Sequence, residues 1–95
     1  MIRITTASNS NRLIISVDGE VAGEYVDVIE SFVKQASGRG NPVCLHLRDV
    51  TAIDERGRAL LERLGAKGVR LRAEGVYWSY IVAEINRRHE VPRVA

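Results

Sequence analysis

Acidic and guanidinium side chains crowd one stretch of this chain, residues 48–58, RDVTAIDERGR. Asp54 and Glu55 are adjacent carboxylates, a pair of the kind that serves acid–base chemistry or binds a metal. Asp49, five positions earlier, is near enough through a short loop to add a third oxygen donor for weak cation binding. Capping is the better role for Asp54, because adjacent side chains at a helix start diverge and a carboxylate there accepts the unpaired N–H groups of the first turn. Arg56 and Arg58 follow, and the positive end of the helix dipole makes the same corner attractive to an anion. Nothing else in the chain assembles a reactive set. His46 and His89 belong to no ligand spacing, and no nucleophile elbow is present. The run Gly38, Arg39, Gly40 lacks the Lys-Ser or Lys-Thr of a phosphate loop and precedes a strand. Cys44 has no second cysteine and reads as a small buried residue. No catalytic residue, metal site or cofactor is therefore expected, and the chain is read as a non-enzyme.

These residues need a strand to deliver them and a helix to follow. Val43, Leu45 and Leu47 alternate with Cys44, His46 and Arg48, the period of a strand with one face on a core. That strand is expected to stop at Arg48, with residues 49–53 as a turn and Asp54 as N-cap. Gly57, Leu60, Leu61 and Leu64 then form the apolar stripe of a helix. Upstream, Ile2 and Ile4 mark a short strand, the polar residues 8–11 a hairpin turn, and Leu13, Ile15 and Val17 a second strand ended by Asp18 and Gly19. A helix is predicted from Ala22, with Tyr25, Val28, Ile29, Phe32, Val33 and Ala36 as its core stripe. It closes at a left-handed Gly38, with Pro42 barring continuation. Val69, Leu71 and Ala73 give a fourth strand. Trp78, Ile81, Val82 and Ile85 give a third helix from about Val76, ahead of a frayed tail.

The order β-β-α-β-α-β-α predicts an α/β fold with a mixed four-stranded sheet. The N-terminal hairpin is antiparallel, the remaining strands parallel, and the helices lie mainly on one face. The other face would carry Arg3, His46, Arg48, Arg70 and Arg72, of which Arg48, Arg70 and Arg72 form a candidate anion-binding surface. It offers no aromatic residue for base stacking, and a net charge of +2 is slight, so nucleic acid is disfavoured as a partner. The uncovered face, together with Tyr77 and Tyr80 on the last helix, points to a homodimer. At 45% hydrophobic and 27% charged, with neither a membrane-length apolar run nor a signal-peptide core, the chain reads as a cytoplasmic protein without a membrane segment.

Residues 13–85 resemble the STAS domain of bacterial anti-sigma-factor antagonists, so residues 1–95 are read as a single STAS-like domain. The resemblance is carried by residues 18–21, DGEV, by LRDVTAIDERGRALLERL and by KGVRL. Within it, Ile53, Asp54 and Gly57 match the family's apolar residue, aspartate and glycine at the strand-to-helix loop. The resemblance implies a non-catalytic, protein-binding module of signalling and transcriptional regulation whose partner is an anti-sigma factor or kinase-like ATPase. The residue after the aspartate is there the phosphorylated Ser or Thr. Here it is Glu55, followed by Arg56, and Arg58 stands where the family has an apolar residue, so the phosphosite is degenerate. The contact loop is then Asp49, Asp54, Glu55, Arg56, Gly57 and Arg58. Glu55 either imitates the phosphorylated state permanently, with one charge in place of about 1.5–2, or is simply a good first-turn residue. An alternative is a small-ligand module holding an anion or nucleotide between the helix start after Asp54 and the basic sheet face.

Overall fold

The computed structural model describes residues 1–9, 11–38, 40 and 42–88. Sequence expectations that touch Ser10 in the hairpin turn, Arg39, Asn41, His89 and the tail lie outside the described residues. The elements run β1 (Ile2–Asn9), β2 (Arg12–Val21), α1 (Tyr25–Ser37), β3 (Val43–Ile53), α2 (Glu55–Ala66), β4 (Arg70–Ala73) and α3 (Val76–Arg88). The sheet order is β1-β2-β3-β4. The β1–β2 pair is antiparallel, and β2–β3 and β3–β4 are parallel, as the order of elements predicts.

One alternate set of strand residues, Ile15, Val17, Val43, Leu45, Leu47 and Leu71, meets the apolar stripes of all three helices in a single core. The other set, including Arg3, Arg12, Ser16, His46, Arg70 and Arg72, lies on the opposite side of the sheet. Cys44 shares that side yet is only 3% exposed. It is flanked by Ile14 and Arg70, and burial raises its thiol above the ordinary value against the pull of Arg72, Arg12 and Arg70.

Several expectations are corrected. β3 does not stop at Arg48 but continues to Ile53. Its register against β2 slips twice, so that Arg48 and Thr51 are extra residues with no opposite number. Each bulge turns the alternation into a spacing of three, with Leu47, Val50 and Ile53 inward and the residues between them outward. A period-two pattern ends at the first bulge although the strand does not. β2 likewise runs past Gly19 to Val21, with Gly19 at φ +112°, where an added Cβ would lie 2.2 Å from the Met1 carbonyl oxygen. α1 begins at Tyr25, and its core face is Val26, Ile29, Val33 and Ala36. Val28 and Phe32 are instead each 42% exposed. Gly38 caps α1 with right-handed dihedrals, while the left-handed φ of +82° belongs to Gly40.

The outer edge of β4 is sealed by α3. The Asn86 side-chain amide donates to the Leu71 carbonyl (2.8 Å) and accepts from the Leu71 N–H (3.4 Å), standing in for a neighbouring strand. Ser79 Oγ donates to the Ala73 carbonyl at 2.9 Å. Unpaired strand edges recruit other chains, and side-chain cover of this kind removes the invitation. Asn86→Leu fills the same space while leaving both Leu71 groups unpaired. It should lower stability by about 1 kcal/mol, the low end for orphaned backbone groups because this edge is part-buried. A urea titration of the two proteins checks this, and coincident curves would assign the sealing no energetic role.

Candidate functional site

The strand-to-helix corner after β3 is built around Asp54. Its backbone is extended, and its Oδ1 accepts from the Gly57 N–H at 2.8 Å, the N-cap bond that satisfies a first-turn donor of α2. Its Oδ2 accepts from the Gly23 N–H at 2.9 Å, in the turn between β2 and α1. These two backbone N–H groups, Gly57 before Gly23, hold the Asp54 carboxyl below its ordinary value. The second bond was not legible in the sequence, since nothing links residues 31 positions apart except the fold. Gly57 explains its own presence. A Cβ there would lie 1.9 Å from the Val21 carbonyl oxygen, so α2 can approach the end of β2 only with a glycine at the contact.

Around this fixed corner the remaining candidates point outward. Glu55, Arg56 and Arg58 are exposed. Arg56 reaches Asp27 of α1 at 3.5 Å, a loose pair on open surface that contributes little. Glu55 and Arg58 line a groove of about 190 Å³ between the starts of α2 and α3, with Ile53, Asp54, Tyr77, Trp78 and Ile81 completing it. Trp78 is anchored by its Nε1–H, which donates to the Val50 carbonyl at 2.9 Å, and its ring meets that of Tyr77 edge-on with centroids 4.7 Å apart. Tyr77 (67%) and Tyr80 (72%) remain exposed. The aromatic cluster of the sequence thus belongs beside the Asp54 corner, which sequence spacing does not reveal.

Two groupings made from sequence do not survive. Asp49 is not within reach of Asp54, because the intervening residues are extended strand and five of them span roughly 16 Å. It lies instead with Asp18 and Glu20 in a groove on the open face of the sheet, beside Met1 and Arg3. The three-carboxylate cation site is accordingly absent. Arg48 is not a free cation of the anion-binding face. As the extra residue of the first bulge it reaches back to Asp18, where Nε donates to Oδ1 at 3.0 Å and Nη2 to Oδ2. This forked bond draws the Asp18 carboxyl down and the Arg48 guanidinium up. Arg70 and Arg72 stay exposed on β4, joined by Arg12, which the sequence reading passed over. His46 lies 3.6 Å from Glu74. No helix among the described residues is long and apolar enough to cross a membrane.

No family model and no curated protein matches the sequence. Solved structures do. The crystal structure of an anti-sigma-factor antagonist from Mycobacterium paratuberculosis superposes with a TM-score of 0.78, covering 93% of this chain and 82% of its own at 16% identity. An uncharacterised protein from Shewanella loihica PV-4 with a SpoIIAA-like fold superposes with a TM-score of 0.61, covering 92% and 78% at 12% identity. A part of Mglu amounting to 19% of that chain matches 76% of this one, with a TM-score of 0.58 at 24% identity. At these identities the likeness is one of fold, and the fold is the STAS-like, SpoIIAA-like one.

Gly57→Ala should lower stability by about 1–3 kcal/mol, because the clash is with backbone that cannot rotate away. Asp54→Ala should also destabilise, with a defined pH dependence. A depressed folded-state value means that the Asp54 contribution is present above the ordinary value of 3.8 and fades as pH falls through the folded one. Thermal melts from neutral to acidic pH should show the gap between wild type and Asp54→Ala closing below about pH 3.8. A gap that is constant with pH would mean that the ionised carboxylate is not what holds the corner.

Proposed function

We propose that this chain is a non-catalytic, cytoplasmic protein-binding module of bacterial signalling, similar to an anti-sigma-factor antagonist, whose contact surface is the Asp54 corner. The observation that carries this is the division of labour there. Asp54 and Gly57 are consumed by the backbone, while Glu55 and Arg58 face outward beside the exposed ring of Tyr77 and Arg56 faces outward toward Asp27. A carboxylate already accepting two N–H groups serves poorly as a general base, whereas Arg and Tyr on a rigid helix start are favoured interface residues. The fold of the Mycobacterium antagonist supports the same reading.

Glu55 occupies the position of the phosphorylated residue and has no hydroxyl to form a stable phosphoester, so the module is held in one binding state. Its carboxylate at the first turn of α2 supplies permanent negative charge where a switch would supply it transiently. The anion-binding alternative is weaker at this helix start, since an incoming anion would meet both Asp54 and Glu55. What favours it elsewhere is the cluster of Arg12, Arg70 and Arg72, the three cations acting on Cys44.

Affinity capture from the native cell identifies the partner, and titration of that partner against wild type and Glu55→Ser tests the site. Incubation with kinase and ATP should add no phosphate at the α2 start of the wild type. Glu55→Ser should change partner affinity while costing under about 1 kcal/mol of stability, the scale of a lost helix-dipole contact. Equal affinities would reduce Glu55 to a helix-start residue. A partner insensitive to Arg58→Ala and Tyr77→Ala as well would move the contact surface elsewhere.

A further inference from the structure

The two edges of the sheet are treated differently. β4 is sealed by Asn86 and Ser79, whereas β1 is eight residues long and, among the described residues, nothing pairs with its outer edge. The direction of its backbone groups follows from β2. The Leu13 N–H donates to the Pro42 carbonyl at 2.9 Å and the Val21 carbonyl accepts from Asp54, so the odd-numbered residues of β2 turn toward β3 and the even-numbered ones toward β1. Opposite Ile14, Ser16 and Asp18 stand Ala7, Thr5 and Arg3, which return those bonds. Ile4, Thr6 and Ser8 therefore turn their N–H and C=O groups outward, and among the described residues nothing meets them. Apart from Arg3, β1 carries none of the charges or prolines that blunt a strand edge.

The flank of α1 next to this edge matches it. Phe32 and Gln35 line a groove with Thr6 and Leu13, and Val28 lies one turn before Phe32 on the same side of the helix. Asp27, Glu30 and Lys34 are on the flank facing α2, where Glu30 bonds Arg63 and Asp27 pairs with Arg56. A half-exposed apolar stripe thus runs beside a bare, nearly uncharged strand; the charged residues within α1 are kept away from both, and only the exposed N-cap Glu24, one turn before Val28, borders the stripe.

We propose that the bare edge of β1 and the Val28–Phe32 flank of α1 form a docking surface for a second copy of this chain. The two β1 strands pair antiparallel across a two-fold axis and join two four-stranded sheets into one of eight. A second copy is the occupant because it brings the same need. It carries the same outward-facing groups, and an isologous contact sets stripe against stripe, with the two Glu24 carboxylates at opposite ends of the antiparallel joint. Residues opposite one another in an antiparallel pair lie on the same face of the sheet, so both α1 helices stand on the same side and their apolar flanks face each other across the joint. This is a different surface from the open sheet face and the α3 tyrosines, from which the sequence points to a dimer, and it leaves the Asp54 corner free.

Sedimentation equilibrium over a wide concentration range tests it, with circular dichroism on each variant to confirm folding. Thr6→Pro deletes an outward N–H without touching the ladder to β2, and Phe32→Glu puts charge into the stripe at an exposed position. Wild type should show a monomer–dimer equilibrium, and each variant should weaken it by at least about tenfold, the effect of losing a central contact. Tyr80→Ser should leave it unchanged. Wild type that remains monomeric up to its solubility limit would overturn the proposal. So would dimers undiminished in both variants, or dimers lost in Tyr80→Ser instead.

Discussion

The Asp54 carboxylate, held by Gly57 on one side and Gly23 on the other, is the interaction on which the strand-to-helix corner of this molecule depends. One side chain fixes where α2 starts and ties it to the turn that launches α1. A neutral residue could cap the helix, but a single carboxylate can accept from two directions at once, and both of its donors are backbone groups that would otherwise need water or another partner. Gly57 completes the arrangement by letting α2 sit against the Val21 carbonyl. With the corner fixed by backbone, the side chains at 55, 56 and 58 are free to differ without unfolding anything.

The bulges in β3 have a comparable influence on the other face. Arg48, displaced by the first, bends back to Asp18, and Thr51, displaced by the second, donates to the Gly19 carbonyl at 3.3 Å. The open face is divided as a result. Arg12, Arg70 and Arg72 cluster around Cys44, while Asp18, Glu20 and Asp49 gather past the bulges with Arg3 and Arg48 among them. A uniformly basic face, as the strand alternation suggests, becomes a face with a basic end and a mixed one.

How far the chain could be understood from its letters depends on how local each determinant is. The cap at Asp54, the apolar stripe of α2 and the strand alternation in residues 43–47 are set by neighbours in sequence, and they are where they were expected. The continuation of β3 was hidden because a bulge changes the spacing of inward residues from two to three, which no window of fixed period detects. The face of α1 is not fixed by apolar spacing because Val28 and Phe32 are as apolar as the residues that are buried, and only the way α1 sits against β2, β3 and α2 decides which side is covered. Alternation alone leaves Arg48 to solvent because its partner Asp18 lies 30 residues away. The Tyr77–Trp78 pair was recognisable as a cluster, but its place beside Glu55 follows from how α3 crosses the sheet.

The sealing of β4 by α3 also has a consequence in time. Asn86 and Ser79 come later in the chain than the strand they protect, so β4 can join the sheet before anything covers its free edge. During that interval the nascent sheet is open at both ends, and docking of α3 is the step that closes one of them. The Leu71 amide hydrogen, held by Asn86 and not by a neighbouring strand, should then exchange with solvent in proportion to the fraction of time α3 is lifted away, making it a gauge of how firmly the last helix is docked.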